Sequence, residues 1–411
     1  MLIGMRNAMM TGKRLPYDAE VEYIESTGTQ WIDTLVNADS NLSVEVTMAN
    51  VGTPWNNVNP MGAILATPRR RHHLNFNNET NRYGVCYYIG NGEYFVNSKY
   101  MPADGEIFTF KVDAISKTFT LGSFIGTFQD DTFDTGMSYW LFGRNGTTPP
   151  YLGSLRIYSA TLWNGNTLVR DFIPVRKGTV GYHYDRVSKR LFGNAGTGDF
   201  VLGPDVVPVE YIAPQILTYA EQYTTRINTD ISPTANTEVS AEMYPLNNNA
   251  GDQTIGSRAG NGALNRFFVY SMNENGRFVL GNNSLVNQYL TGQRFVVVFN
   301  ETNTHKVLVN GLEKETFDPS KFANQNQAKK IILFATSGYE PAYGTSNTRI
   351  YWCKIRNNGT LVRSFRPVRI GTDATSWEGA MMDVLTRRIY RNAGTGAFTY
   401  GNDLKYPIPS E

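Results

Sequence analysis

Apolar and polar residues alternate along several short stretches of this chain. The segment LSVEVTM at 42–48 places four apolar side chains on one face, and FTFKV at 108–112 and FVVVF at 295–299 show related patterns. Side chains of a strand point alternately to opposite faces, so this period predicts strands with one buried side. No window of 12 or more residues shows the spacing of an amphipathic helix. The sequence therefore predicts an all-β protein.

Turn signals separate these stretches. Residues 113–117 lie between FTFKV and FTL at 119–121, and Asn310-Gly311 follows the apolar run at 306–309. An Asn-Gly pair between apolar runs favours a hairpin because both residues tolerate positive φ. The chain has 38 Gly residues and is 13% aromatic. This combination is typical of a sandwich or barrel of many short strands.

Three segments of the chain occur twice. The pairs are VEYI at 21–24 and 209–212, TLVRDFIPVRKG at 167–178 with TLVRSFRPVRIG at 360–371, and NAGTGDF at 194–200 with NAGTGAF at 392–398. The second pair is offset by 193 positions and the third by 198, so the second copy has five additional residues after Gly371. A period near 190 is far longer than a solenoid repeat of ~20–50 residues, so each copy is a whole domain.

The repeats define the predicted domain boundaries. They are an N-terminal arm at 1–14, domain one at 15–202, a short linker at 203–207, domain two at 208–406 and a C-terminal tail at 407–411. Each copy is roughly twice the ~100 residues of an immunoglobulin sandwich. A large two-sheet jelly roll therefore fits better, and its core needs no metal or disulfide.

The repeated segments also carry a family resemblance. VEYIESTGTQWIDT at 21–34 and LVRDFIPVRKGTVGYHYDRVSKRLFGNAGTGDFVLG at 168–203 resemble the concanavalin A-like, laminin-G-like jelly rolls of phage virion and gut-bacterial surface proteins. The resemblance covers nearly all of domain one and the C-terminal half of domain two. It implies two tandem concanavalin A-like jelly-roll sandwiches, in a class that includes virion components and adhesins.

The repeated ending has two interpretations. The glycines of NAGTG suit tight turns with positive φ, and Asp185 and Asp383 each precede a turn. The same repetition is also compatible with twin binding sites. A shared turn requirement is the simpler interpretation.

The residues of known catalytic arrangements are missing. A retaining glycosidase needs two carboxyl groups ~5–5.5 Å apart. Glu238 and Glu242 have the right spacing on a strand, but Ser240 stands where an intervening acid is expected. The chain has four histidines without an HExxH pattern, and it contains neither a Gly-x-Ser-x-Gly elbow nor a phosphate-binding loop. The sequence thus predicts a protein that is not an enzyme.

The net charge and the cysteine content argue against several classes of partner. The net charge of +2 argues against nucleic-acid binding, and the basic run at 69–71, followed by His72 and His73, is predicted to be a solvated loop. Cys86 and Cys353 form no disulfide framework or metal motif. No signal peptide and no apolar run of ~18 residues is present, so we expect assembly in a host cytoplasm and no membrane partner.

Sugar and calcium sites are predicted in loops. A sugar needs an exposed aromatic ring beside amide or carboxylate groups, because pyranose faces are apolar and their edges polar. The predicted carbohydrate-binding residues are Trp55, Asn56, Asn145, Tyr151, Tyr339 and Tyr343. Relatives of this fold often carry a calcium ion at the rim, and Asp130, Asp131 and Asp134 are its predicted ligands, with a solvated turn as the alternative. No other cofactor is predicted.

These features lead to three functional hypotheses. The first is a non-enzymatic structural or decoration protein of a phage capsid, fibre or tail, present in many copies or as a homo-oligomer. Its arm at 1–14 would dock onto other virion proteins, and its jelly rolls would adhere to host glycans. The alternative is a soluble or cell-surface lectin. A divergent glycoside hydrolase that uses Glu238 and Glu242 is the third.

Overall fold

The computed structural model divides the chain into two compact units, Met1–Leu202 and Gly203–Glu411. It describes residues 15–52, 58–79, 82–96, 102–122, 124–129, 132–146, 151–215, 225–246, 253–258, 266–272, 278–280, 284–286, 292–300, 306–316, 330–336, 347–371, 376–394 and 396–404. Within these ranges every regular element is a strand. The all-β prediction is confirmed, and no helix in the described ranges is long and apolar enough to cross a membrane.

The strands of unit 1 are short and closely spaced. They are β1 (Ala19–Val21), β2 (Ile24–Thr27), β3 (Ile32–Asp39), β4 (Leu42–Asn50), β5 (Val58–Leu65), β6 (Arg70–Glu79), β7 (Arg82–Gly90), β8 (Gly92–Val96), β9 (Ile107–Asp113), β10 (Thr118–Leu121), β11 (Phe124–Thr127), β12 (Asp134–Leu141), β13 (Gly143–Asn145), β14 (Tyr151–Leu152), β15 (Ser154–Asn164), β16 (Thr167–Lys177), β17 (Val180–Asp185), β18 (Arg190–Phe192) and β19 (Val201–Leu202).

Unit 2 has a similar series. Its strands are β20 (Asp205–Pro208), β21 (Ile212–Gln215), β22 (Ile227–Asn228), β23 (Thr237–Pro245), β24 (Gln253–Arg258), β25 (Arg266–Met272), β26 (Phe278–Leu280), β27 (Ser284–Val286), β28 (Phe295–Phe299), β29 (Lys306–Val309), β30 (Leu312–Thr316), β31 (Ile332–Leu333), β32 (Ala335–Thr336), β33 (Thr348–Asn357), β34 (Thr360–Gly371), β35 (Trp377–Asp383), β36 (Ile389–Tyr390) and β37 (Ala397–Tyr400).

Two sheets form the sandwich of unit 1. The first runs β11-β10-β9-β4-β15, and the far edge of β15 pairs with β2 along one half and β16 along the other. The second runs β8-β7-β6-β5-β12-β3. These pairings are antiparallel, while β13 lies parallel to β5. The apolar residues of 42–48 that the alternation placed on one face are buried in the core between the sheets.

Unit 2 repeats this plan. Its first sheet runs β30-β29-β28-β23-β33, and β33 in turn pairs with β21 and β34. Its second sheet runs β22-β31-β24-β25-β26-β27. Residues 205–207, assigned to a linker from the sequence, belong to β20, which pairs with β34. Both units are therefore jelly-roll sandwiches of two mainly antiparallel sheets.

The basic run at 69–71 is not the solvated loop that the sequence predicted. Only Arg69 lies in a turn, and β6 begins at Arg70. Arg71, His72 and His73 are all buried, with at most 3% of each side chain exposed. The apolar alternation of the strand continues at Leu74, which lies in the core with His72. The pairing of β6 with β5 and β7 thus outweighs the local cost of burying one arginine and two histidine side chains.

A buried aspartate organises the repeated ending of unit 1. The Asp185 carboxylate accepts hydrogen bonds from the backbone N–H groups of Asp171 (2.8 Å), Val187 (3.0 Å) and Ser188 (3.1 Å). The Ser188 hydroxyl donates a further bond of 2.6 Å, and the Arg170 guanidinium lies 3.8 Å away. Because Asp185 has no exposed surface, these partners replace the water that the carboxylate loses on folding.

Unit 2 builds the same arrangement around Asp383. Its carboxylate accepts from the backbone of Ser364 (2.9 Å) and Leu385 (3.3 Å) and from the Thr386 hydroxyl (2.8 Å). Arg363 lies 3.8 Å away, as Arg170 does in unit 1. Burial raises the pKa of Asp383, and the hydrogen bonds and Arg363 oppose that shift. The repeated acid is thus part of the fold in both units.

The repeated asparagine closes the sandwich in the same way. Asn194 Oδ1 accepts from the backbone of Trp31 (3.1 Å) and Gly196 (2.7 Å), and its Nδ2 donates to the Gly198 carbonyl (2.7 Å). In unit 2 Asn392 makes the equivalent bonds to Arg226, Gly394 and Gly396. The turn interpretation of NAGTG therefore accounts for its repetition.

The two units also share a strained phenylalanine, which lies outside the segments that repeat in the sequence. Phe142 and Phe334 both have positive φ, 67° and 66°, which is rare for a bulky residue. Both are buried, and their rings lie 4.9 Å from those of Phe200 and Phe398, respectively. Packing of these aromatic pairs offsets the backbone strain and joins the second sheet to the repeated ending in each unit.

We predict that Asp185→Ala destabilises the protein by about 3 kcal/mol or more, because it leaves several buried N–H groups without their acceptor and Arg170 without its carboxylate partner. The matched control is Asp113→Ala, which removes a partly exposed aspartate that caps the N–H groups of Ile115 and Ser116. It should cost about 1 kcal/mol or less. Urea unfolding of both variants measures the difference, and equal losses would contradict the role given to Asp185.

A buried histidine is expected to make unit 1 sensitive to acid. His183 has no exposed surface and lies among the rings of Phe142 and Phe172, with centroid distances of 6.1 and 5.7 Å. Burial lowers the pKa of His183 to about 3. Since the folded-state pKa is below the unfolded value of about 6.5, His183 favours the folded state above pH ~6.5, and this contribution is lost as pH falls toward 3.

We predict that His183→Met reduces this acid sensitivity. Met381 holds the equivalent register position in unit 2, so methionine suits the site. Between pH 6.5 and 4.5 the wild type should lose about 2–3 kcal/mol more unfolding free energy than the variant, because each pH unit in that window contributes about 1.4 kcal/mol. Urea unfolding at both pH values tests this. An identical pH dependence in the two proteins would show that His183 does not contribute.

Candidate functional site

The sequence-predicted sugar residues lie largely outside the described part of the chain. Trp55, Asn56, Tyr339 and Tyr343 fall outside it, and Tyr151 is described only as the first residue of β14. Asn145 is described: its Nδ2 donates to the backbone carbonyl (3.0 Å) and hydroxyl (3.2 Å) of Ser138. Its amide is thus used within unit 1, and the remaining residues stay predictions.

The predicted calcium ligands are only partly described. Asp130 and Asp131 lie outside the described ranges. Asp134 Oδ1 accepts from the Gly136 N–H (2.7 Å) and from Asn37 Nδ2 (2.8 Å), and these bonds lower the pKa of Asp134. Across the part of the chain that the structure describes, no group of three His, Cys, Asp or Glu residues is placed to hold a metal ion. The calcium site stays a prediction.

The two glutamates considered for glycosidase chemistry are both engaged in ion pairs. Glu238 Oε1 accepts from Arg356 Nη1 at 3.0 Å. Glu242 accepts from Arg294 Nε at 2.6 Å and from Trp352 Nε1 at 2.8 Å. Both glutamates extend from β23 on the face opposite the core residues. These contacts give both carboxylates a structural role on the outside of the sheet.

A cleft in unit 2 is the better candidate site. The additional residues after Gly371 enlarge the connection between β34 and β35, and the register pairs Gly371 with Trp377. Trp377 is partly exposed and borders two adjoining cavities of about 430 and 470 Å³. The residues that border one cavity or the other include Gln215, Ile370, Ser376, Trp377, Glu378, Arg391, Asn392, Thr399 and Tyr400. We refer to these two cavities together as the Trp377 cleft.

An arginine fixes the aromatic wall of the Trp377 cleft. The guanidinium carbon of Arg369 lies 3.8 Å from the centre of a Trp377 ring and 6.0 Å from that of Tyr400. Arg369 is itself held by two hydrogen bonds to the Asp403 carboxylate, of 2.7 and 2.8 Å. The same bonds lower the pKa of Asp403. The cation–π contact orients the indole ring before any ligand arrives.

A second ion pair supplies the polar rim. Arg391 Nε donates to Glu378 Oε1 at 3.0 Å, and both side chains are well exposed. Asn392 also lines the cleft, but its amide already makes the hydrogen bonds of the repeated turn. The groups presented to a ligand are therefore an aromatic surface, a carboxylate with its arginine, and the Gln215 amide.

The equivalent face of unit 1 lacks these groups. Ile370 pairs with Glu378 in unit 2 where Lys177 pairs with Val180 in unit 1. Tyr400 pairs with Ile212 at the register position that Leu202 has in unit 1. The cleft is thus a property of the second copy, although the frame around it is shared.

The Trp377 cleft was not predicted from the sequence, because the sugar sites were chosen as aromatic residues next to prolines. The signal was a difference between copies: the five additional residues after Gly371 directly precede a tryptophan that the first copy lacks. Arg369 and Tyr400 gave no signal, since their contact with Trp377 depends on the pairing of strands that are distant in sequence.

Comparisons with known proteins find similarity only among solved structures. No family model matches the chain, and no curated protein matches it. The NanB sialidase of Streptococcus pneumoniae aligns at 11% identity over 89% of this chain and 75% of that one, with a TM-score of 0.25. Domains LG4-5 of the mouse laminin alpha1 chain align at 11% identity over 86% and 94%, with a TM-score of 0.28. Similarities this weak say nothing about ligand or activity, and the fold class is given by the strand pairing.

Proposed function

We propose that this protein is a non-enzymatic glycan-binding protein and that unit 2 holds a sugar in the Trp377 cleft. The observation that carries the proposal is the partly exposed Trp377, fixed by Arg369 and bordered by polar side chains. Pyranose rings have an apolar face that packs on an indole and polar edges that need hydrogen-bond partners. Glu378, Arg391 and Gln215 supply such partners at the rim.

The size of the cleft agrees with this proposal. Sites for small molecules typically occupy ~300–1,000 Å³. Each cavity of the Trp377 cleft, at about 430 and 470 Å³, is within that range and accommodates one or two sugar units. Because the cavities adjoin at Trp377, a short saccharide would pack across the indole with residues on either side.

Binding without turnover is favoured by the charges of the cleft. Hydrolysis with retention needs a second carboxyl group ~5–5.5 Å from the first. Glu378 is the carboxylate among the described residues that line the cleft, and it is paired with Arg391. Glu238 is engaged by Arg356 of β33, and Glu242 by Arg294, which immediately precedes β28. We therefore propose that bound glycan is released intact.

Display on a phage particle is the cellular setting that we propose for this binding. The support is the resemblance of the repeated segments to jelly rolls of phage virion proteins. Many weak sites on one particle would bind a host surface tightly through avidity. In the alternative setting, a soluble or cell-surface lectin, the same cleft would bind its glycan without a particle.

We predict that Trp377→Ala lowers glycan affinity at least ten-fold, because it removes the stacking surface. The purified chain would be tested on a broad glycan array, with calcium and again with a chelator, and then by titration with the best saccharide. Trp163→Ala is the matched control, since Trp163 is a partly exposed tryptophan of unit 1 in contact with Lys111. Release of free saccharide from a positive glycan would be followed in parallel.

The outcomes separate the hypotheses. Loss of binding in Trp377→Ala alone supports the Trp377 cleft. Loss in Trp55→Ala or Tyr151→Ala instead would move the site to unit 1, and chelator-sensitive binding would add calcium to it. A blank array contradicts glycan binding altogether. Release of free saccharide would contradict the non-enzymatic proposal and direct attention to Glu238 and Glu242.

We predict that deletion of residues 1–14 prevents incorporation into phage particles while leaving glycan binding by the isolated chain unchanged. The arm has no counterpart before the second copy, which separates its role from that of the jelly rolls. Immunoblotting of purified particles measures incorporation. Undiminished incorporation of the shortened chain would show that the arm is not the docking segment.

A further inference from the structure

The two cavities of the Trp377 cleft share one charged side chain. Glu378 borders both of them, whereas Arg391 borders only the second and Gln215 only the first. Among the described residues that line the first cavity, Glu378 is the one with a charge. Its side chain is 56% exposed, so a ligand in either cavity can reach it. The chemistry of this carboxylate therefore bears on which saccharides the cleft can hold.

The Glu378 carboxylate offers a ligand an acceptor and no donor. Arg391 Nε donates to its Oε1 at 3.0 Å. The second oxygen, Oε2, has no hydrogen-bond partner among the residues that the structure describes. An ionised carboxylate can only accept hydrogen bonds. Oε2 therefore requires a group of the ligand that donates, such as a sugar hydroxyl.

Strand packing brings a second polar group to the first cavity. Gly379 follows Glu378 in β35, and a Cβ atom at position 379 would lie 2.8 Å from the Cβ atom of Phe398 in β37. Glycine thus lets β37 approach β35 closely, and β21, which pairs with β37, places Gln215 at the cavity. The Gln215 amide makes no hydrogen bond within the described ranges. Because an amide both donates and accepts, it suits a hydroxyl group.

An acidic saccharide would encounter Glu378 in either cavity. The described residues that line the first cavity include no cationic side chain. In the second cavity Arg391 is bonded to Glu378, so a ligand carboxylate that reached Arg391 would lie beside the Glu378 carboxylate. Two carboxylates that share one site repel each other. A hydroxyl group at the same place has no charge to be repelled and can donate to Oε2.

We propose that the Trp377 cleft selects neutral saccharides and that Glu378 is the residue that excludes acidic ones. This inference rests on the proposed function, since it concerns the ligand of the same cleft. The hydroxyl groups of a neutral sugar donate to Glu378 and exchange hydrogen bonds with Gln215, while the apolar face of the ring packs on Trp377. The selectivity arises from repulsion of the acidic ligand as well as from attraction of the neutral one.

The test is a calorimetric titration of the full-length protein with matched tetrasaccharides at constant ionic strength. Cellotetraose, maltotetraose and mannotetraose are the neutral probes. Oxidation of their C6 hydroxyl groups to carboxylates gives acidic probes with the same skeleton, and methyl esterification of these carboxylates removes the charge again. We expect the neutral form to bind roughly ten-fold or more tightly than its acidic form, and the methyl ester to recover much of the lost affinity.

Two variants assign the selectivity to one side chain. Glu378→Gln keeps the size of the side chain and removes its charge, so the preference for the neutral form should be abolished or reversed, because an amide can donate to a carboxylate. Glu313→Gln is the matched control, since Glu313 is an exposed glutamate of unit 2 that pairs with Lys306 at 2.8 Å and does not line the cleft. It should keep the preference of the wild type.

Equal affinity of the wild type for the neutral and acidic forms would overturn this inference while leaving glycan binding in place. A preference that persists in Glu378→Gln would also overturn it, as would a methyl ester that binds as weakly as the acid, since shape and not charge would then discriminate. Absence of binding by all three neutral probes would overturn the selection of neutral saccharides. Only a blank glycan array, or binding that Trp377→Ala leaves unchanged, would contradict the proposed function of the cleft as well.

Discussion

The buried aspartate at the end of each copy is the interaction on which both sandwiches depend. Asp185 and Asp383 each have no exposed surface, and each accepts from backbone N–H groups of the neighbouring strand and of the turn that follows the aspartate. A carboxylate in such a place is stable only when every partner is in position. This constraint fixes the hairpin that follows, and the asparagine turn then closes the sandwich against the start of the domain.

The buried aspartate and the asparagine turn form a frame that both units share, while other parts of the two units differ. In unit 2 the enlarged connection after Gly371 brings Trp377 against Arg369, whereas the corresponding connection of unit 1 carries no aromatic residue. In unit 1 the second sheet instead buries Arg71 and His73 beside Tyr88, and the pairing of β6 with β7 holds these side chains together. The two units therefore share a frame but differ in the side chains that surround it.

The accuracy of the sequence predictions follows the range of the interactions involved. The strand at 42–48 was predicted correctly because its alternation is local and its apolar face is buried along its whole length. The strand β6 was missed because three basic residues and two histidines conceal its alternation. The sugar loops were chosen by composition alone, and most of those residues lie outside the described ranges. The Trp377 cleft depends on contacts between β34, β35 and β37, which no local pattern shows.

The sequence by itself determined that the protein is all-β, that it contains one domain twice, and that the two copies differ after Gly371. These properties depend on side-chain alternation, turn residues and repetition, all of which are local in the chain. Only the tertiary structure decided that the repeated acids are buried, that Arg71 and His73 are covered, and that Arg369 orients Trp377. Burial and charge balance depend on which strands become neighbours, and that is set when the two sheets pack together.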